Sequence, residues 1–575
     1  MKTIWTTWRT WREGGNLCEK FNAIKVICAI VALVGMLAGT AAGEIMVSSG
    51  ETYITDPPLT YIPTTSTPNT DNVEGGVTFQ SGSTYQYEIN RDVRQTGHIV
   101  ARGSFEDIPI TIAEDVMLDV HFNHGEGLRY GDEFLVIAAN YGQFDNDAQQ
   151  RFTLTDALNW RFEQKIESMN RGEFLPAGYY LRWLGFAESL QPFNATPNAL
   201  RAAEGVDRID QIGQRLLEED SYDPTGIAIE RAIRGLNSLS DPADMANAFA
   251  QFHGEVFASN QLAAAQMQRR FVQLAPTGRE YTIQTGVPKV WNHWGVLTGD
   301  WGKRSKIGQY SGYELWSTGV AVGVDRAVTN RVLLGAAIGY DYVQQDFDTI
   351  RSSSRSESFR TMAYGSWFNG NYHIDGYGGY SKHFHHTKRD IDIMDGGVTQ
   401  FSKVARSRYD DDMASAGIDF GRTWQWKYAS VTPSIGLHYI LLNSPNVSET
   451  GALGANLRVD RGHYDSLRLP VGVKASSIFI GKKKGAAWLP EIRAAYIREL
   501  ADDSVRVRTT FDGVHQQEGV RFSAESGNQG RDGLRLGVGL QTLVARWCNF
   551  QFDYDYEAFK HTSAHGFRAS LGVQW

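Results

Sequence analysis

The sequence predicts a mostly β chain whose C-terminal half, residues 288–575, closes into a roughly 12-stranded antiparallel transmembrane β-barrel. Three observations carry this prediction: apolar residues at every second position, connections of alternating length, and tryptophans near strand ends. Trp316, Thr318, Val320, Val322 and Val324 alternate with Ser317, Gly319, Ala321, Gly323 and Asp325. Val332, Leu334, Ala336, Ile338 and Tyr340 alternate with Leu333, Gly335, Ala337, Gly339 and Asp341, and Phe550, Phe552, Tyr554 and Tyr556 oppose Gln551, Asp553 and Asp555. Side chains on a strand point to opposite faces in turn, so each segment is apolar on one side and polar on the other.

Connections near 328–330, 370–371, 426–428, 481–486 and 546–548 are short. Those near 299–312, 345–356, 388–407, 443–463 and 500–531 are long. Tight turns at one end and long loops at the other describe a barrel in a membrane, where closure pairs every backbone group that lipid cannot hydrogen-bond. A soluble β-sandwich is the alternative; it would turn the apolar faces toward each other and requires no alternation of loop length. Trp291, Trp294, Trp316, Trp367, Trp424, Trp426, Trp547 and Trp575 lie near strand ends, as interfacial aromatic girdles require.

The final segment, "FRASLGVQW", keeps the alternation to its end. Phe567, Ala569, Leu571, Val573 and Trp575 share one face, expected to meet lipid, and Trp575 is expected at the membrane–water boundary. Arg568, Ser570, Gly572 and Gln574 share the other.

The segments upstream differ in character. Residues 1–43 carry Lys2, Arg9, Arg12, Lys20 and Lys25, then the apolar run "VICAIVALVGMLA", then the small residues of "GTAAGE". This is the layout of a secretory signal peptide with an extended leading segment, with a membrane anchor as the alternative. Removal of Cys18 and Cys28 with it would leave Cys548 without an intramolecular partner. Residues 44–70 are Pro/Thr-rich and read as a flexible tail. Residues 71–190 hold short strands such as "GSTYQYEIN" and "DEFLVIAAN", suited to a β-solenoid or a small sandwich, with no strict repeat visible.

Residues 191–287 are helical. Leu200, Ala203, Val206, Ile209, Ile212 and Leu216 recur at helical spacing, and Asp223-Pro224 and Asp241-Pro242 are helix starts. The last helix, about 242–274, is expected to run about 45–50 Å unbroken. Its narrow middle, "ASNQLAAAQ", suits either a soluble bundle or a slim helix fitted inside something. The net charge of −9 argues against nucleic-acid binding, and the one short basic cluster, "GKKKG" at 481–485, reads as a turn.

With these residues laid out, the chain resembles an autotransporter of the monomeric type, a type V secretion protein. "KVWNHWGVLTGDW", "STGVAVGVDRAV" and "VLLGAAIGYDYV" resemble the first three strands of that family's translocator domain. "LPEIRAAYIREL" resembles its strand ending in an aromatic, a basic residue and Glu-Leu. "FRASLGVQW" resembles the terminal signal read by the barrel assembly machinery. "QFHGEVFASNQLAAAQMQRRF" is similar to the helical linker, His253 departing from the expected small polar residue, and residues 128–190 resemble the stem before it.

The resemblance implies a barrel in the outer membrane of a Gram-negative bacterium, reached through the Sec translocon and the barrel assembly machinery. It also implies a lumenal α-helix, contributing Glu255, Ala258, Ser259, Gln261 and Gln266, and a short β-rich passenger at the cell surface. Asp325, Asp341, Arg493, Glu499, Arg535, Asp553, Asp555 and Arg568 would face the lumen. No Asn-Asn pair in 242–275 matches the site at which some members cut the helix, so an uncleaved, tethered product is expected.

Candidate chemistry is sparse. His383, His385 and His386, with His373, are expected to form a wet, charged rim at the loop end, not a metal site. His121, His124 and Glu126 are closer to a zinc-like set but lie between strands. No G-x-S-x-G elbow or phosphate loop occurs. No cofactor and no catalytic residue is expected. The leading expectation is export and display of a passenger that contacts an unknown surface ligand. The alternatives are a surface-displayed enzyme with chemistry in 71–190 and a plugged diffusion channel with a periplasmic N-terminal domain.

Overall fold

The computed structural model describes strand segments of residues 45–183 and, with few interruptions, residues 184–274, 291–480 and 487–574. The expected signal peptide, most of 44–70, His124, Glu126, the side chain of His121 and Trp575 lie outside the described residues.

The N-terminal strands form a β-solenoid. Ile45–Val47, Val77–Phe79 and Ile110–Ile112 pair in parallel as one sheet. Thr52–Ile54, Thr84–Asn90 and Met117–Asn123 pair in parallel as a second, and Thr70–Glu74, His98–Arg102 and Glu133–Ala139 as a third. The chain visits the three sheets in the same rotation, one rung per circuit. Partners on the first two sheets are 32 and 33 residues apart, as in Ile45↔Val77↔Ile110 and Thr52↔Thr84↔Met117. On the third sheet they are 28 and 38 apart, as in Asp71↔Ile99↔Ile137, so turns of unequal length hide the repeat from the sequence. Inward residues stack into a dry core that includes Phe79, Tyr85, Tyr87, Leu118 and Trp183. The antiparallel hairpin of Phe162–Ser168 and Ala177–Trp183 pairs onto the third sheet and covers one of its edges.

Among the described residues five helices follow: α1 (Gly185–Leu190), α2 (Pro197–Glu219), α3 (Pro224–Asn237), α4 (Pro242–Phe249) and α5 (Glu255–Val272). Thr196 and Asp241 cap α2 and α4, each followed by proline at the first helical position. The single helix expected over 242–274 is two, broken at 250–254. The backbone there is drawn sideways by the barrel. Gln251 Oε1 accepts the Asp392 N–H at 2.7 Å, and the Gln251 carbonyl accepts from Arg389. Gly254 then passes so close to strand Arg506–Phe511 that a Cβ would lie 2.8 Å from the Thr509 methyl. The helix that continues is 18 residues, about 27 Å long.

The barrel has twelve strands: β1 (Trp291–Arg304), β2 (Tyr313–Ala327), β3 (Val332–Phe347), β4 (Ser352–Asn369), β5 (Tyr372–Asp395), β6 (Val398–Arg422), β7 (Ala429–Ser444), β8 (Gly462–Ser477), β9 (Ala487–Glu499), β10 (Asp532–Ala545), β11 (Cys548–Phe559) and β12 (Thr562–Gln574). Each pairs antiparallel with its neighbours in sequence, and β12 pairs with β1 (Gly295↔Leu571, Trp301↔His565), so no edge remains.

The outward face carries Leu297, Val322, Ile338, Val538 and Leu571, all exposed. Trp301, Trp316, Phe359 and Phe567 mark one rim of this band, and Trp291, Trp367, Trp424, Trp488 and Trp547 the other. Trp294, read from the sequence as a girdle residue, points inward instead and donates to the Tyr364 hydroxyl at 2.9 Å. Its position follows from parity, since it shares a face with Asn292 and Val296.

Loop lengths differ from the sequence expectation at two places. Residues 345–356 and 388–407 are not long loops; they are strand hairpins, the first turning at 348–351 and the second between Asp395 and Val398. The β5–β6 hairpin projects past the barrel because Ile391, Ile393, Phe401 and Ala405 find an apolar partner there, the core of α1–α4 with Phe249, Phe252, Leu457 and Phe511. The long connections 445–461 and 500–531 add a four-stranded sheet to the same cap. The loop end of the barrel is therefore covered by a folded lid.

Within the lid, Asp207 accepts the backbone N–H groups of Phe186 (2.8 Å) and Ala187 (3.0 Å) at the start of α1. Burial pushes its carboxyl up to about 6 from the ordinary 3.8, against those hydrogen bonds, with Asp210 adding to the rise. The folded lid thus holds a proton that the unfolded chain releases at lower pH. Its stabilising contribution is complete below about pH 4 and lost as pH rises through about 6. Melting temperature measured from pH 4 to 6.5 should show this decline in the native protein and lose that component in Asp207→Asn.

Candidate functional site

The lumen is filled by α5. The helix starts at the covered mouth, where the Glu255 carboxylate accepts the Ser311 N–H at 2.9 Å and the Asn198 side chain at 3.0 Å. It descends past a wall of short polar side chains. Asn260 donates to the Tyr409 hydroxyl (2.9 Å) and to Thr387 (3.2 Å), and Gln261 to Ser444 (3.1 Å). Gln268 donates to Ser415 (2.9 Å) and accepts from Arg360 (2.8 Å), and Arg269 donates to Ser466 (2.5 Å). Arg270 pairs with Asp300 at 3.3 Å. Ser259 lies 3.5 Å from Arg304, while Gln266 is partly exposed beside Gly302.

Small residues let the helix fit. Ala258, Ala263, Ala264 and Ala265 are buried, and at Gly339 a Cβ would sit 2.7 Å from the Phe271 ring. Below that contact Phe271, Val272, Leu274, Trp294 and Tyr364 form an apolar constriction. A cavity of about 300 Å³, lined by Arg493, Arg535, Asp555, Arg568 and His438 among others, adjoins it.

The structure places all eight lumen-assigned charges on inward positions, engaged with partners. Asp341 accepts both nitrogens of the Arg360 fork (2.5 and 2.9 Å). Asp325 accepts from Tyr364 (2.9 Å) and Asn292 (3.2 Å). Glu499 accepts from Arg468 (3.0 Å) and Ser466 (2.8 Å). Arg493 reaches Asp553 (2.8 Å) and Asp555 (3.2 Å), Arg568 reaches Asp555 (2.6 Å), and Arg535 reaches Glu557 (2.6 Å). Arg269, Arg270, Asp300, Arg360, Arg468 and Glu557 belong to the same system, beyond the eight expected from the sequence. Strand parity would have found the four barrel residues among them.

On β12, Phe567 and Leu571 face outward and are exposed, with Ala569 and Val573 half-buried on the same side.

The histidines depart from expectation. His383 and His385 are buried in the lumen wall, not on a wet rim, because β5 turns their face toward α5. His386 points outward, and His373 lies at the turn end of β5, so the four do not converge. Among the described residues no group of three or more His, Cys, Asp or Glu is arranged to hold a metal. His385 instead joins a cross-strand row: Ser356 Oγ lies 2.6 Å from its Nδ1, Asp411 lies 3.1 Å from its Nε2, and the Tyr409 ring stacks on it at 4.8 Å. Ser444 donates to Asp411 at 2.5 Å and accepts from Gln261, so the row ends on the helix.

Residues 293–555, the greater part of this barrel, match the family model described as the autotransporter β-domain. The C-terminal domain is an autotransporter β-domain. It is an outer-membrane barrel of the Gram-negative type, similar to outer membrane protein B of Rickettsia japonica (24% identical over 229 residues, 38% of this chain) and of Rickettsia prowazekii (22% over 313 residues, 52% of this chain). The chain covers only 14% and 18% of those two proteins. Among solved structures it is similar to the translocator domain of the autotransporter NalP from Neisseria meningitidis, with 17% identity, a TM-score of 0.44, and coverage of 56% of this chain and 99% of that one. The β domain of the Bordetella autotransporter BrkA is matched at 14% identity and a TM-score of 0.36, over 50% of this chain and all of that one. In this autotransporter domain the lumenal helix and its polar seat are the candidate functional site.

Proposed function

We propose that the barrel exports the N-terminal β-solenoid and holds it at the cell surface for contact with its surroundings, through a linker that stays intact. The carrying observation is the direction of α5: its C-terminal end lies in the lumen, and its N-terminal end sits at the mouth beneath the lid. The chain upstream of Glu255 therefore leaves at the long-loop end, which faces outward in barrels of this class. Display fits a solenoid with a dry, stacked core, a rigid surface suited to adhesion to a ligand of unassigned chemistry. The reading gives residues 71–190 a binding role and no catalytic one. Assembly through the Sec translocon and the barrel assembly machinery belongs to the same reading.

Protease shaving tests it. Treatment of intact cells should remove epitopes in 71–190 while leaving a membrane-protected fragment that contains α5 and the barrel. Protection of those epitopes until the outer membrane is permeabilised would contradict display and favour a channel with a periplasmic N-terminal domain.

A further inference from the structure

Some outward-facing charges around the loop-end rim are matched across neighbouring strands. Lys303 pairs with Glu314 at 3.5 Å, and Arg498 with Asp532 at 2.5 Å. The sector of β4, β5 and β6 is different. The register sets Arg355 beside His386 and His386 beside Arg408; one step further out it sets Ser353 beside Lys388 and Lys388 beside Arg406. All five cationic or imidazole groups face outward and are exposed. Lys388 is engaged by Asp390 on its own strand at 2.8 Å, but Arg355, Arg406 and Arg408 make no ion pair with a described residue. Of the outward carboxylates closer to the membrane, Asp410 and Asp412 are taken by Lys382 at 2.8 and 3.4 Å, and Glu357, exposed two residues from Arg355, accepts from the Tyr340 hydroxyl.

These cations border a crevice of about 660 Å³ between the β5–β6 hairpin and the 448–450 segment. Hydroxyls of Ser353, Ser448 and Thr450 contribute to its lining, and no carboxylate does. Its height is fixed by the aromatic rim: Phe359 is exposed and packs on Phe384 at 6.4 Å, with Tyr340 at 5.2 Å. Arg355 is four residues beyond Phe359, which on a tilted strand is roughly 10 Å further from the bilayer centre. That is the headgroup layer of the outer leaflet.

We propose that this crevice binds the phosphorylated headgroup of an outer-leaflet glycolipid. Guanidinium forks suit the bidentate geometry of phosphate, and hydroxyls supply the shorter-range donors. The neighbouring Phe359 and Tyr380 offer a surface for the acyl chains of the same molecule. An unmatched cation cluster placed at headgroup height, above an aromatic ring, is thereby accounted for without a soluble partner.

The test uses the full-length protein purified in detergent and three probes: lipid A with two phosphates, the same lipid A with both phosphates removed, and inorganic phosphate. Retention of each is read by native mass spectrometry. Diphosphorylated lipid A should bind and the dephosphorylated form should not. Inorganic phosphate should displace the lipid only at far higher concentration. Arg355→Ala/Arg406→Ala/Arg408→Ala should weaken lipid A binding roughly 100-fold, at the scale expected for three cations near an anionic surface. Arg355→Gln alone, the milder change, should weaken it roughly 5-fold, and Lys303→Ala should leave it unchanged. Heat-modifiable migration on gels reports that each variant is folded. Equal binding of the two lipid A forms, or a triple variant within threefold of the native protein, would overturn the proposal. Inorganic phosphate as tight as lipid A would overturn the lipid source and leave a free-anion site.

Discussion

Arg389→Ala is expected to open the lid while the barrel stays folded. Arg389 and Glu449 are both buried and joined fork to fork at 2.6 and 2.8 Å. The same guanidinium donates to the carbonyls of Gln251 and Ala455 (3.1 Å for the latter), and Glu449 accepts the Leu457 N–H at 2.8 Å. One side chain thus ties the α4–α5 turn to the loop that covers the mouth. Truncating it leaves the Glu449 carboxylate buried and unpaired, a change that costs about 3–5 kcal/mol. The lid should lose that much stability in denaturant titration, and proteases should cut at 250–254. Arg389→Met with Glu449→Leu removes both charges together and should recover a large part of the loss. No recovery would place the effect in the carbonyl contacts instead of the stranded charge.

The second large effect concerns the outer face. Ile338 lies midway along β3, 60% exposed, between Val322 of β2 and Thr361 of β4. In a bilayer that position meets hydrocarbon. Ile338→Arg should cost about 2–4 kcal/mol when folding is measured in lipid vesicles by urea titration. Arginine at Asp346, eight residues toward the loop end and exposed, should cost about 1 kcal/mol or less. Equal effects at both positions would mean that the outer face does not contact lipid.

The barrel was legible in the sequence because period-two alternation is a local signal, repeated strand after strand. Parity also placed Asp325, Asp341 and Asp555 inward. What parity could not give is pairing. That Arg360 meets both Asp341 and Gln268 depends on α5 docking against the β3–β4 pair, 92 residues from Gln268 to Arg360 along the chain. The helix break at 250–254 was hidden for the same reason, since Arg389 and Asp392 act on it from about 140 residues away. The hairpin at 388–407 looks like a loop in sequence, since Asp390, Asp392 and Asp395 stand among its apolar residues. Its Ile391 and Ile393 are buried only by the lid. The histidines were misplaced because a run of adjacent imidazoles conceals parity: His383 and His385 belong to one face and His386 to the other. Unequal turns masked the solenoid repeat.

The chain's own helix is lodged in its membrane barrel. Gln261 of α5 and Ser444 of β7 lie with side-chain atoms 3.1 Å apart. In a Cys548→Ser background, Gln261→Cys with Ser444→Cys should be bridged in the outer membranes of intact cells by a short bifunctional methanethiosulfonate, which spans the gap left by the shorter cysteine side chain and whose disulfides a reductant cleaves. A protease site inserted between residues 275 and 290 then reports the link. The helix fragment should remain attached to the barrel after cleavage and come free on reduction; its equal release with and without reductant would contradict a helix seated in the lumen.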